Sequence, residues 1–356
     1  MKRASVFMFL LWFSGEVYAQ NAAAPPCVPN AQPAAQPAAE VQQGRGGRGG
    51  GGNQQPVPRV TTVAMIAGVV ASGTAWTKVW QGAGNSADGI IADKDGNVLV
   101  AQFDFDKVLR IDKDGKESVF VSNARSVGSL SMDRQGRLYG AHRTERPGST
   151  KPDQGSNAIT ILTPVRKMVA EKWADGATLS VRPNDLAADS RGGAYFTSGC
   201  VYYAAADGKV TVMADNIRTN GIILSNDDKT LYVTNGGTIV AFEVKGPGML
   251  SNRRDFAMLE SGGGDGLAID TEGRLYVTTN AGVQVVDKTG RFIGLIPTPR
   301  GVISVGFAGA DKKTLFVVGS GADDAKGQPI REGPQQTAAT IYKLPTIAQG
   351  IQGRAK

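Results

Sequence analysis

Four oxygen-bearing side chains, Asp88, Asn184, Asn220 and Asp265, stand at the same phase of a recurring sequence pattern. Each precedes a short run of small or aliphatic residues, then a turn rich in Asp, Asn and Gly, then an aliphatic and aromatic run. Ser129 and Ser304 hold that phase in two further copies. Two carboxylates and two amide oxygens brought to a common axis suit a hard divalent cation such as Ca²⁺ or Mg²⁺, with water in the remaining positions. Taken singly, an Asn or Asp before a short strand is an ordinary turn former. Four in register argue for a site. The Asn184 copy adds Arg182, Pro183 and Asp185, a polar tetrad that reads as the edge of that site. His142, the chain's single histidine, lies at the base of a long polar stretch and is expected to contact substrate rather than act as the base.

These side chains need a scaffold that repeats. Pro183 fixes its own φ and keeps Arg182 out of helical geometry, so the tetrad is an extended entry to a strand. Leu186 to Ala188 then form a first short strand, Asp189 to Gly193 a turn, and Ala194 to Thr197 a second strand. The same hairpin pattern recurs roughly every 40 to 45 residues, the period of a four-stranded β-propeller blade rather than of a helical solenoid. The six phased positions imply six blades. The expected fold is therefore all-β, a six-bladed β-propeller. The wider spacing after Ser129 comes from an insertion, His142 to Asn157, of the kind that shapes a binding mouth.

Outside the repeats the chain reads differently. Lys2 and Arg3, the apolar run Val6 to Phe13 and the exit Val17-Tyr18-Ala19 form a secretory signal pattern cut before Gln20, too short to span a bilayer. Residues 20–57 are rich in Ala, Pro, Gln and Gly and read as a disordered tether. The propeller is expected over 58–347, with a tail at 348–356. Within it, Val60 to Val70 and Thr74 to Gln81 read as strands ahead of the first full repeat, with Thr77 to Gln81 closing the ring by completing the last blade. Trp76 and Trp80 are expected in packing rather than in ligand stacking. Cys27 and Cys200 are no disulfide framework, and no structural disulfide is expected.

Composition and absences narrow the function. The formal charge of +7 is spread over interspersed Lys, Arg and Asp, with no basic stripe that would mark a nucleic-acid binder. One histidine, no Gly-Xxx-Ser-Xxx-Gly elbow and no closely spaced cysteine pair disfavour a serine hydrolase triad and a thiolate zinc site.

Three motifs then carry a resemblance. Arg182-Pro-Asn-Asp-Leu-Ala followed by Tyr195-Phe-Thr, Thr219-Asn-Gly-Ile followed by Lys229-Thr-Leu-Tyr-Val-Thr, and Gly264-Asp-Gly-Leu-Ala-Ile-Asp followed by Gly273-Arg-Leu-Tyr-Val resemble the senescence marker protein, gluconolactonase and luciferin-regenerating enzyme family, over about residues 75–345. The resemblance implies a six-bladed propeller with one catalytic divalent metal in the channel, Ca²⁺ first with Mg²⁺, Mn²⁺ or Zn²⁺ as alternatives, and hydrolysis of a sugar lactone. It implies Asn184, Asn220 and Asp265 as metal ligands, Asp265 also as general base, and Arg182 and Asn184 on the substrate's oxygens. The family's fourth ligand, a Glu before Gly, is matched here by Asp88 before Gly89, one methylene shorter. The expected partner is a small-molecule lactone, with no nucleic acid and no membrane once the signal is removed, in the periplasm or outside the cell. Two other readings are an exported propeller that binds a carbohydrate or protein without catalysis, and a related propeller lyase or arylesterase, for which His142 would be the residue to change.

Overall fold

The structure is a computed structural model that describes residues 59, 61–83, 89–144, 156–326, 328 and 338–353. The expected signal segment and tether, Asp88 and most of the insertion after Thr144 lie outside the described residues.

The first strand in the chain, β1 (Thr77–Ala83), belongs to the last blade. Blade 1 follows with β2 (Ile91–Ala92), β3 (Val98–Gln102), β4 (Lys107–Ile111) and β5 (Glu117–Val121), and blade 2 with β6 (Val127–Met132), β7 (Leu138–His142), β8 (Ala158–Thr163) and β9 (Lys167–Ala170). Blade 3 holds β10 (Leu186–Ala188), β11 (Ala194–Thr197), β12 (Val201–Ala204) and β13 (Val210–Ala214). Blade 4 holds β14 (Thr219–Leu224), β15 (Thr230–Asn235), β16 (Thr238–Gly246) and β17 (Met249–Met258). Blade 5 holds β18 (Leu267–Ile269), β19 (Leu275–Thr279), β20 (Gly282–Val286) and β21 (Phe292–Pro297). Blade 6 is β22 (Val302–Ala308), β23 (Thr314–Ser320) and β24 (Ala338–Pro345), with β1 as its outer strand. Each of the six sheets is a four-stranded antiparallel meander, and together they form a six-bladed β-propeller.

Ring closure works as the sequence implies. β1 pairs antiparallel with β24, from Thr77 opposite Lys343 to Ala83 opposite Ala338, and covers an edge that would otherwise present unpaired backbone groups. Just before and within β1, Trp76 donates its indole N–H to the carbonyl of Pro297 in blade 5 at 2.8 Å, and Trp80 donates to Glu117 in blade 1 at 2.6 Å. Both rings pack against buried clusters.

Apolar side chains of each blade pack against those of the next, which divides the core into clusters set between neighbouring sheets. Inner and middle strands such as β3 and β19 are buried along their whole length, so they read as continuous Val, Leu and Tyr runs. Each such side chain stabilises the fold by roughly 1.5–3 kcal/mol. The turns that join these strands repeat one device. Asp93, Asp112, Asp133, Asp189, Asp270 and Asp287 each accept, at one carboxylate oxygen, the backbone N–H groups two and four residues on. The fourth residue of each turn is a glycine with positive φ, as at Gly192 (97°), where a side chain would be strained.

Two expectations need correction. Thr61 to Val70 form no strand: they end in a turn with a single bridge between Ile66 and Val70, Gly68 sits at φ 71°, and Val60 lies outside the described residues. Val63, Ile66, Val69 and Val70 are buried in the cluster between blades 5 and 6, so the run acts as a wedge whose β-branched residues serve packing rather than pairing. Second, Cys200 is disulfide-bonded. The chain's other cysteine, Cys27, lies outside the described residues. Bridging depends on how close two cysteines come in space, and neither their small number nor their distance in sequence reports that.

Candidate active site at the channel mouth

The inner strands β6, β10, β14, β18 and β22 all begin at one end of the propeller, and Asn184, Asn220 and Asp265 stand just before or at the start of β10, β14 and β18 there. Local backbone irregularities aim them. β6, β14 and β22 each carry one extra residue against their partner strand at this end, between Val127 and Ser129, Thr219 and Ile222, and Val302 and Ser304. Such bulges bend a strand and redirect side chains. The bulge of β14 contains Asn220.

Asn184 is fixed by its own N–H, which donates to the carbonyl of Thr197 at 2.7 Å. The Thr197 hydroxyl in turn donates to the backbone carbonyl of Asn220 at 2.6 Å, tying blade 3 to blade 4. Asn220 is held against blade 5 by the absence of a side chain at its neighbour: a Cβ on Gly221 would stand 2.1 Å from the carbonyl oxygen of Asp265. The backbone N–H of Asp265 donates to the carbonyl of Thr278 at 3.0 Å. The three sequence-predicted residues of blades 3, 4 and 5 are thus adjacent around the axis, all half-buried. Asn184 Nδ2 donates directly to Asn220 Oδ1 at 2.5 Å.

Asp185, next to Asn184, faces the other way and is 1% exposed. One of its carboxylate oxygens accepts the Ser129 hydroxyl at 2.6 Å and the Leu186 N–H at 2.9 Å, and the other accepts the Ile222 N–H at 3.1 Å. A single carboxylate therefore links blades 2, 3 and 4 beneath the site. Ser304 plays a similar part between blades 6 and 1, its hydroxyl accepting the N–H groups of Gly89 and Ile90 at 2.8 and 2.9 Å. This anchors the chain immediately after Asp88, which itself lies outside the described residues.

Arg182 donates through Nε to the carbonyl of Thr144 at 2.6 Å, and its guanidinium lies 5.9 Å from the centroid of Phe103. His142 stays within blade 2: its ring nitrogens contact the carbonyl of Arg125 and the hydroxyl of Thr160, both at 2.6 Å. Burial, the larger influence, moves its pKa below the ordinary value, and the nearby Arg166 charge adds to this against the Arg125 hydrogen bond. The next residue reaches the site instead, because neighbours on a strand point to opposite faces. Arg143 Nη1 donates to Asn184 Oδ1 at 3.1 Å. Neither Arg143 nor Phe103 was singled out by sequence reasoning; the usable signal was the alternation at the end of β7, which turns Arg143 inward if His142 turns outward.

Among the described residues, no group of three or more His, Cys, Asp and Glu side chains is placed to hold a metal. A cation here would rest on amide and carboxylate oxygens together. Asn220 and Asp265, on backbones that meet at Gly221, offer an amide and a carboxylate oxygen, the donor chemistry of a hard divalent cation, whereas the oxygen of Asn184 faces a guanidinium. A polar cleft of about 750 Å³ lined by Asp189, Arg191, Tyr195, Glu243 and Lys245 lies at the opposite end of blades 3 and 4, among the hairpin turns, and contains none of these residues.

The sequence profile of the SMP-30/gluconolactonase/LRE-like region matches residues 117–321. The chain belongs to the SMP-30/gluconolactonase/LRE-like family. It is 26% identical over 253 residues to lactonase drp35 of Staphylococcus haemolyticus, covering 63% of this chain and 73% of that one. The lactonase drp35 of Staphylococcus aureus strain MW2 is 27% identical over 245 residues, covering 61% and 71%. Among solved structures, a gluconolactonase of Xanthomonas campestris superposes with a TM-score of 0.62 at 23% identity, covering 83% of this chain and 98% of that one. A calcium-binding protein, regucalcin, of Agrobacterium tumefaciens gives 0.56 at 18% identity, covering 84% and 98%. At these identities the structural likenesses speak for the fold.

Proposed function

We propose that this family member is a hydrolase that opens a lactone ring, and that the reaction takes place where Asn184, Asn220 and Asp265 meet. The observation that carries the reading is the contact chain across blades 3, 4 and 5: two hydrogen-bonded amides, with the backbone of Asp265 packed against Gly221, the residue next to Asn220. Membership of a family whose relatives include named lactonases supports the reaction class.

In this reading Arg182 and Asn184 hold the lactone by its oxygens. The Nε–Thr144 bond sets the direction of the Arg182 fork, which stabilises negative charge developing on the carbonyl oxygen. Asp265 accepts a proton from a water as that water's oxygen bonds to the carbonyl carbon. The bond from that carbon to the ring oxygen then breaks, and the ring oxygen takes the proton back from Asp265, leaving a hydroxy acid. A divalent cation bound by Asn220 and Asp265, with Asp88 from the first blade, would supply Lewis-acid polarisation of the carbonyl and a lower pKa for the water. Ca²⁺ is the first choice for an all-oxygen set, with Mg²⁺, Mn²⁺ and Zn²⁺ as alternatives. The signal pattern at Lys2 to Ala19 assigns the reaction to an exported protein.

The test is the initial rate of ring opening on gluconolactone and a panel of other lactones, with protein stripped by chelator and then given each of the four cations. Background hydrolysis is subtracted at each pH. Turnover restored by a cation is expected. A folded protein that turns over no lactone with any of them would instead be a ligand-binding propeller.

A further inference from the structure

Cation binding in the proposed function depends on where the oxygens of Asn184 and Asn220 point, and one buried residue decides that. Arg143 is 0% exposed. Its guanidinium lies 5.4 Å from the centroid of Phe103, and room for it comes from a glycine across the hairpin: a Cβ on Gly128 would stand 2.1 Å from Nε and 2.3 Å from Cζ. Guanidinium has donors and no acceptor. The atom of Asn184 that faces Nη1 at 3.1 Å must therefore be Oδ1, and the Asn184 NH₂ group is turned to Asn220. The facing atom of Asn220 must then be its own oxygen, at 2.5 Å. The polarity runs one way, from Arg143 through Asn184 to Asn220.

We propose that Arg143 is a positioning residue that sets this polarity, keeping the Asn184 oxygen off a bound cation and presenting Asn184 as an N–H donor. An amide oxygen has two lone pairs, so Asn220 can accept from Asn184 and still serve as a ligand. The second lone pair of the Asn184 oxygen is a poor ligand for a different reason. A cation there would share one oxygen with a guanidinium, and like charges at about 4 Å repel strongly in a partly buried site. The inner ligands among the described residues are then Asn220 and Asp265, and the nearby guanidinium holds cation affinity down.

The test is calorimetric titration of Ca²⁺ into the full chain and its variants, a readout that needs no turnover. R143Q removes the charge and replaces a donor-only group with one that can accept, so it should bind Ca²⁺ at least about tenfold more tightly, or gain binding where the unmodified protein shows none. R143K keeps a donor-only cation and should stay within about threefold of the unmodified protein. N184A should likewise stay within about threefold, while N220A should lose at least about tenfold. Ca²⁺ affinity in R143Q that is equal to or weaker than that of the unmodified protein, or R143K matching R143Q, would overturn the proposal. So would N184A losing as much affinity as N220A, and that pair decides the matter if circular dichroism shows R143Q unfolded. Absence of lactone turnover with these affinities as expected would remove the lactonase reading and leave this inference standing.

Discussion

At the scale of single residues, His142 and Arg143 show how neighbouring positions on one strand end take different work. His142 is half-buried in blade 2, and its burial keeps the folded imidazole neutral to lower pH than in the unfolded chain. The unfolded chain therefore binds more protons just below the ordinary histidine pKa of about 6.5, and stability contributed by the neutral ring is lost as pH falls through that value. Replacing His142 by Asn should flatten the fall in melting temperature between about pH 7 and 5. Parallel curves for the two proteins would show that His142 does not contribute. Alternation along β7 could have turned Arg143 inward, but its burial was not legible in the sequence because the space for it is made by Gly128, a residue of another strand. Asn184, Asn220 and Asp265 were legible as a set because the repeat aligns them, and no single one would have stood out.

At the scale of elements, the hairpin of blade 3 follows the sequence pattern residue for residue, with strands at Leu186–Ala188 and Ala194–Thr197 around an Asp-Ser-Arg-Gly-Gly turn. Such a hairpin is set by local chemistry: an Asp that caps its own turn and a glycine at positive φ. Asp185 serves a longer reach. Replacing it by Ala leaves a serine hydroxyl and two backbone N–H groups of blades 2, 3 and 4 without their acceptor, and the expected loss is about 3 kcal/mol. The shift of the urea unfolding midpoint measures it, and a change under about 0.5 kcal/mol, typical of a surface site, would contradict the staple role. The wedge formed by Val63 to Val70 was misread as a strand because β-branched residues favour strands and buried packing alike.

At the scale of the whole molecule, ring closure rests on β1. A protein truncated through Ala83 exposes the β24 edge and should associate or precipitate, as light scattering after size exclusion would register. A monodisperse monomer of undiminished melting temperature would show that closure does not need this strand. The disulfide at Cys200 also belongs to this scale, since no local sequence pattern encodes whether a cysteine is bridged. Six blades of one design converge their inner strands on one channel mouth, so the chemistry depends on which blades place Asn, Asp or Ser there.

In the proposed reaction Asp265 moves the proton that opens the lactone. This role is tested most directly by initial rates on gluconolactone for the unmodified protein and Asp265→Asn, measured side by side with saturating Ca²⁺ and subtracted background. Asn fits the same space, so the variant should keep its circular dichroism and lose about 10²- to 10⁴-fold in kcat. Undiminished turnover in the folded variant would contradict the assignment.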